Sequence, residues 1–292
     1  MSKELSIVIP CYNEGGIIRT VLVELIDFLE ASLAGKYEIL VVDDCSTDDT
    51  ADKLDKFPGI QVIHHPVNRG YGSAIKTGIR QAQGKFVATF DGDGQHNPTD
   101  IVKLYNRIVG KDLVLVVGAR SKIFHSKYWR MPGKWFLGWL ANYLSKTRIP
   151  DLNSGLRIFK KEVIIRYLHL CSDRFSFSTT STLILLHRQY AIDFLPIDVR
   201  ERAGKSTVSM MTGYETIILI LRVICLFEPL RIFIPFSVFL VIVGTVYGVY
   251  PFFILKKGLV PGALLIILAG ILIFFFGLLA DQISSLRKEK YE

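Results

Sequence analysis

At 292 residues, half of them hydrophobic, the chain has the apolar content for one sizeable domain and an appendage, which excludes a disordered tail. Its 35 Lys and Arg against 27 Asp and Glu leave a net charge of +8, a balance that suits nucleic acid, a membrane surface or anionic substrates. No basic low-complexity run and no zinc spacing supports nucleic acid, and Cys11, Cys45, Cys171 and Cys225 form no CxxC pair, so they read as reduced thiols of a cytosolic domain.

Leu5 to Pro10 is a β-rich run that breaks at proline, followed by the polar loop Cys11 to Gly16 and a helical pattern from Ile17 to Leu33. That first apolar run is too short for a signal peptide, and none is expected. The unit repeats. Glu38 to Val42 is a strand, Asp43 to Asp48 a loop rich in helix-capping residues, and Thr50 to Lys56 a short helix. Gln61 to His64 is a third strand, the stretch Asn68 to Ser73 opens a helix from Ala74 to Gln83, and Phe86 to Phe90 is a fourth strand. Strands alternating with helices predict an α/β fold with a mainly parallel sheet and helices on both faces. Ligands of such sheets sit outside the carboxyl ends of the strands. Tyr12, Asn13, Glu14, Asp43 and Asp44 are thereby placed along one edge.

The fourth strand runs into Asp91-Gly92-Asp93-Gly94-Gln95-His96. Residues i and i+2 of an extended chain share a side, so Asp91 and Asp93 face one ligand together if the strand geometry persists. Taken alone the segment has two readings. It is an ordinary tight turn, which Asp and Gly favour, or it seats a hard divalent cation. Magnesium usually takes one or two protein carboxylates and leaves its other positions to water and substrate phosphates, which makes a diphosphate the natural partner.

Asn97 to Asp100 is expected to cap a helix reaching about Val109, and Leu113 to Val117 is a strand that delivers Arg120 to the same edge. Residues 122–150 are basic and aromatic, with Lys127, Trp129, Arg130, Trp135 and Trp139, and read as an interfacial amphipathic segment or a surface helix packed on the core. Asp151 to Arg157 is a polar turn before a short strand at Ile158-Phe159. A helix near Leu183 to Tyr190 and the run Ile192 to Val199 lead into the cation-dense stretch Arg200 to Thr207, then an amphipathic helix from Met210 to Phe227.

Ile232 to Leu255 and Leu259 to Ala280 are almost wholly apolar, split by Lys256-Lys257-Gly258. Each reaches the roughly 20 residues that cross a bilayer core, so a transmembrane hairpin is expected. Two crossings return the chain to its starting side. Arg222, Arg231, Arg287, Lys288 and Lys290 outnumber the two loop lysines and favour a cytoplasmic body with both termini on that side of the cell membrane. The expected division is a body over 1–208, a juxtamembrane helix over 209–229, two spans over 230–281 and a cytoplasmic tail over 282–292.

Six stretches occur here in the order seen in family 2 glycosyltransferases: Pro10 to Glu14, Val42 to Asp48, Asn68 to Ala74, Asp91 to Asp93, Asn153 to Arg157 and Arg202 to Ser206. The chain resembles the polyprenyl-phosphate hexose synthases of that family, and its hairpin resembles that of the two-span members. The resemblance implies a GT-A catalytic domain, magnesium or manganese, and inverting transfer of a hexose, mannose or glucose, from GDP-mannose or a UDP-hexose to a polyprenyl phosphate. It implies that Pro10, Tyr12, Glu14 and Asp44 meet the nucleoside, with Asp91 and Lys205 in the nucleotide-sugar site and the metal on Asp93 and Gln95. Arg120, Arg200 and Arg202 would join Asp93 as catalytic groups at the diphosphate or acceptor phosphate. Ser154 and Arg157 would bind the acceptor phosphate together with Arg202. The late motif departs from the family pattern, since Glu201 stands three before Gly204, and both Arg200 and Arg202 remain open as the family arginine. Thr207 replaces the family lysine, with Lys205 as its substitute.

Relatives that act on sugar hydroxyls carry an acidic residue in the stretch matching Phe175 to Ser181, which has none here. A hydroxyl must lose a proton as it attacks and profits from a positioned carboxylate. A phosphate monoester, with its second pKa around 6, is already mostly dianionic and needs cations to position it instead. Two rival readings stand beside this one: a glycolipid or polysaccharide synthase acting on a hydroxyl, and a nucleotide-sugar-binding membrane scaffold without turnover.

Overall fold

Every residue of β1 (Leu5–Cys11) is buried, because it lies at the middle of a sheet covered on both faces. Leu5, Ile7, Ile9 and Cys11 point to one side, into a core shared with α1 (Ile18–Leu33). The other side meets a third layer, in which a Cβ placed on Gly78 would run into the Val8 side chain. The computed structural model describes residues 3–120, 149–174, 176–200, 229–253 and 260–289. The chain divides into two compact units, Met1–Ile217 and Ile218–Glu292.

The first unit continues with β2 (Tyr37–Asp43), α2 (Thr50–Asp55), β3 (Gln61–His64), α3 (Tyr71–Gln81), β4 (Phe86–Thr89) and α4 (Pro98–Gly110). Then come β5 (Leu115–Arg120), β6 (Arg157–Lys160), α5 (Lys161–Tyr167), α6 (Phe177–His187) and β7 (Ile192–Ile197). The helices through α4 follow their sequence patterns. In α1 the buried residues Ile18, Val21, Leu22, Leu25 and Leu29 recur at helical spacing, each worth roughly 1.5–3 kcal/mol when fully buried. Asn97 caps α4 as expected, its side chain accepting from the Thr99 amide at 3.0 Å with Pro98 in the first turn.

The strands form one seven-stranded sheet in the order β3-β2-β1-β4-β6-β5-β7. All pairings are parallel except the two made by β6, which runs against β4 and β5. Sequence patterning does not reveal that reversal, and it decides the site. Because β6 is antiparallel, its first residue, Arg157, lies beside Thr89 at the end of β4, so the turn before β6 arrives at the edge where the parallel strands finish. The second difference is α6, which begins at Phe177 where the pattern suggests Leu183. Its first turns are rich in Ser and Thr, which read as loop. In the structure these hydroxyls bond back to the preceding turn, Thr180 to the Ser176 carbonyl at 2.8 Å and Thr182 to the Ser178 carbonyl at 3.0 Å.

The second unit contains α7 (Leu230–Phe253) and α8 (Pro261–Glu289). Both are long and apolar enough to cross a membrane, with mean hydropathies of 2.3 and 3.0 over Leu230–Val249 and Pro261–Leu286. Their outward faces are apolar, including Phe236, Phe239, Val246, Leu265, Phe276 and Leu286. They meet each other through small residues: Gly244 packs against Ile267, and Gly270 against the Ser237 carbonyl and Val241. The expected interfacial segment over 122–150 falls almost wholly outside the described residues, as do the Met210 to Phe227 helix and the loop lysines Lys256 and Lys257.

Candidate active site

A cleft of about 460 Å³ opens along the carboxyl edge of β1, β2 and β4 and is closed at one side by the turn before β6. Four residues expected at a nucleoside, Pro10, Tyr12, Glu14 and Asp44, line it, together with Asp91, Asp93 and Gln95.

The nucleoside end is built from two loops tied together. Asn13, in the left-handed region at φ 57°, donates its amide to Ser46 Oγ at 3.0 Å and accepts the Thr47 amide on its side-chain oxygen at 2.8 Å. Asp48 takes the Gly15 amide at 3.1 Å and the Thr50 amide at 3.0 Å. Burial pushes its carboxyl up, but the Thr50 and Gly15 hydrogen bonds outweigh it and hold the carboxyl below the usual range. Asp43 is not among the residues that line the cleft; it accepts from Ser46 and lies 3.1 Å from His64 Nδ1. Asp44 is buried, with the Arg69 amide at 2.9 Å, the Gly70 amide at 2.7 Å and His65 Nδ1 at 2.7 Å.

The opposite end is built from side chains. Thr89 Oγ1 donates to the Gly155 carbonyl at 2.5 Å and ties the turn before β6 to β4. A side chain at Gly155 would collide with the Asp91 carboxylate. Asp91 accepts the Tyr71 hydroxyl at 2.8 Å and lies 3.3 Å from His96 Nε2. Burial raises its carboxyl, but the His96 hydrogen bond and charge, the Tyr71 hydroxyl and the Arg157 charge outweigh that, so it stays below the usual carboxylate range. Asp93 accepts the Gln95 amide at 3.2 Å. The Gln95 carbonyl in turn accepts the Arg200 amide at 2.9 Å, which brings the segment after β7 onto this loop.

Arg157 corrects an expectation. Placed at the acceptor phosphate by its motif, it is 0% exposed. Its guanidinium donates to the Ser154 carbonyl at 2.5 Å, the Ser178 carbonyl at 2.7 Å and the Ser181 and Thr182 hydroxyls. Burial lowers its pKa to about 10 despite the charges of Asp151 and Asp91. It therefore fastens the turn before β6 to α6 and sets a positive charge behind Asp91. Ser154 is buried too. Arg120 is held bidentately by Asp151 at 2.7 and 2.9 Å, a pairing that raises the Arg120 pKa and outweighs burial in lowering that of Asp151. The Arg200 side chain pairs with Glu24 at 2.9 Å. Both partners are about half exposed, and such a pair is worth roughly 0–1 kcal/mol, too little to fix the side chain there. Arg202 and Lys205 lie outside the described residues.

His65, Tyr71 and His96 had no signal of their own in the sequence. Tyr71 lies inside the Asn68 to Ala74 stretch and the two histidines just beyond recognisable motifs, and only the fold shows what each touches. The stretch without a carboxylate contributes Ser178 to the cleft wall, and Thr179 Oγ1 donates to Asn153 there at 2.8 Å. Among the described residues no group of three or more His, Cys, Asp and Glu side chains is arranged to hold a metal. A protein-only cage is thus not what this loop offers. Asp93 and Gln95 on the cleft wall, with Asp91 held by Tyr71 and His96, fit a cation bound through one or two protein oxygens and completed by phosphate oxygens.

A mainly parallel sheet broken by one antiparallel strand, with a carboxylate-lined cleft on its carboxyl edge, defines a GT-A-type α/β protein. Residues 6–168 match the profile of glycosyl transferase family 2, and the chain belongs to that family. Residues 228–286 match the GtrB C-terminal hairpin. The dodecaprenyl-phosphate galacturonate synthase of Rhizobium johnstonii is 30% identical over 56% of this chain and 49% of its own length, so the chain spans about half of that relative. The dolichyl-phosphate beta-glucosyltransferase of Saccharomyces cerevisiae is 27% identical over 68% of each. Among solved structures, glucosyl-3-phosphoglycerate synthase from Mycobacterium tuberculosis, in complex with Mn2+, UDP and glucosyl-3-phosphoglycerate, superposes with a TM-score of 0.60. The superposition covers 76% of this chain and 80% of that one at 19% identity, which establishes the shared fold.

Proposed function

We propose that the protein transfers a hexose, mannose or glucose, with inversion from a nucleotide-diphosphate sugar to a polyprenyl phosphate at the cytoplasmic face of the membrane. The observation that carries this reading is the cleft: carboxylates at both ends, and at the α6 wall Ser178, from a stretch without the acid that relatives acting on hydroxyls carry in it. Relatives named for dodecaprenyl and dolichyl phosphate acceptors support it. The apolar hairpin would keep the enzyme in the membrane that holds such a lipid, and the arginines and lysines flanking the spans favour a cytoplasmic body.

In this reading Pro10, Tyr12, Glu14 and Asp44 receive the nucleoside, and Asp91 orients the sugar-diphosphate end. An oxygen of the acceptor phosphate forms the new bond to the anomeric carbon from the face opposite the leaving group. The bond to the nucleoside diphosphate breaks, and its electron pair leaves with the diphosphate. No proton has to be removed from the nucleophile, so no general base is required. Asp93 and Gln95 would hold magnesium or manganese, which neutralises charge building on the departing diphosphate. Arg120, Arg200, Arg202 and Lys205 are the cations assigned to the phosphates. Incubating the full chain in proteoliposomes with GDP-mannose or UDP-glucose and a polyprenyl phosphate tests the proposal by mass spectrometry of the lipid. A glycosyl phospholipid that disappears with chelator is expected. Hydrolysis or binding without any lipid product would refute it.

A further inference from the structure

Asp44 has four lone-pair positions on its carboxylate and three donors already around it. Oδ1 takes both the His65 ring and the Arg69 amide, and Oδ2 takes the Gly70 amide. One acceptor position remains, on Oδ2, and Asp44 lines the cleft. His65 cannot readily turn away. It is buried, and its Nε2 lies 2.9 Å from the Thr77 hydroxyl of α3, so the ring is held from both sides. Since a carboxylate only accepts, Nδ1 is the nitrogen that carries the proton towards Asp44.

We infer that His65, by occupying Asp44 together with the Arg69 amide, makes the nucleoside end selective for uracil. The inference rests on the nucleotide-sugar reading above and goes further by naming the base. Uracil presents one donor, N3–H, between two carbonyls, which matches one open acceptor. Asn68 lines the same cleft and can offer its amide to a flanking carbonyl, and Tyr12, 46% exposed on the cleft wall, offers a ring for the base to stack on. Guanine presents two adjacent donors, N1–H and the 2-amino group, and would leave one unmatched beside a carboxylate already filled by His65. Cytosine has the size of uracil but turns a lone pair at N3 towards Asp44. Sites built around a specific hydrogen bond reject ligands that cannot make it far more strongly than apolar pockets reject a methylene.

Calorimetry of the detergent-solubilised full chain with manganese, titrated with UDP, CDP and GDP, tests this. UDP is expected to bind at least about tenfold more tightly than CDP or GDP. In His65→Phe the freed acceptor on Asp44 should accommodate a second donor, so the UDP-to-GDP preference should narrow at least about threefold. A residue that only packs would lower both affinities in parallel, and an unchanged ratio overturns the role of His65. Should that variant fail to fold, the UDP-to-CDP ratio of the unaltered protein still decides, because the two bases differ in the donor and not in size. CDP or GDP binding as well as UDP overturns the inference while the transfer reaction stands, and no binding of any of the three overturns both.

Discussion

At the nucleoside end of the cleft, Asp44 is held by two backbone amides and one ring nitrogen, all from the segment 65–70. At the other end Asp91 is held by the side chains of Tyr71 and His96, with Arg157 of β6 behind it. The first arrangement is mostly main chain, so it survives many substitutions around it. The second is made by the side chains of Tyr71, His96 and Arg157 and depends on each. The end that handles the diphosphate is therefore the more fragile of the two, and substitutions there should separate activity from folding in ways that the nucleoside end does not.

The largest effect is expected at Asp93. Asp93→Ala should lower transfer by about 100- to 1000-fold, the size seen when one electrostatic contact to developing charge is lost, with little change in melting temperature because the side chain lies on a loop. Full activity in that variant, measured as labelled sugar in the lipid phase, would remove the metal assignment. Arg157→Met should be costly in a different currency, since it takes the guanidinium donors away from the buried Ser154 carbonyl and from the Ser178 carbonyl, which keeps Ser181 and Thr182. A loss of about 2–4 kcal/mol is expected from the denaturation midpoint. A variant as stable as the parent would mean that Arg157 is not the fastener described here. Tyr71→Phe removes the hydroxyl that bonds Asp91, and about a 3- to 10-fold fall in turnover with roughly 1 kcal/mol of stability is expected.

The smallest effect belongs to the nucleoside end. His64 lies 2.9 Å from Asp55 and 3.1 Å from Asp43, and the Asp55 hydrogen bond, aided by Asp43, raises its pKa against the opposing effect of burial. A raised folded-state pKa contributes stability that is fully present below the unfolded value near 6.5 and is lost as pH rises through the folded value. The gap in melting temperature between the parent and His64→Gln should thus be widest near pH 5.5 and close above the folded-state pKa. The ring is 40% exposed, so solvent screening keeps the gap small. A gap that widens with pH would reverse the assignment.

The contrast also explains what could be read from the sequence. Gln61–His64 appears as a strand with unchanged bounds, and the strand-loop-helix units through α4 are close to expectation, because each is a local pattern of apolar spacing and capping residues such as Asn97. The reversal of β6 is not local: nothing between Arg157 and Lys160 states which way its neighbours run. The pairings of Tyr71 with Asp91 and of His65 with Asp44 depend on that sheet being assembled first. The burial of Arg157 is illegible for the same reason. A motif gives the residue and its order in the chain, whereas its burial comes from α6, whose Ser- and Thr-rich start reads as loop.

The most direct test of the central claim compares transfer to a polyprenyl phosphate with transfer to the matching polyprenyl alcohol, using the full chain and one nucleotide sugar. A phosphate that attacks without a general base, at a cleft whose α6 wall offers Ser178 and no carboxylate, predicts turnover with the phosphate and next to none with the alcohol. Turnover of the alcohol at a similar rate would contradict both the acceptor and the roles given to the cations that would hold it.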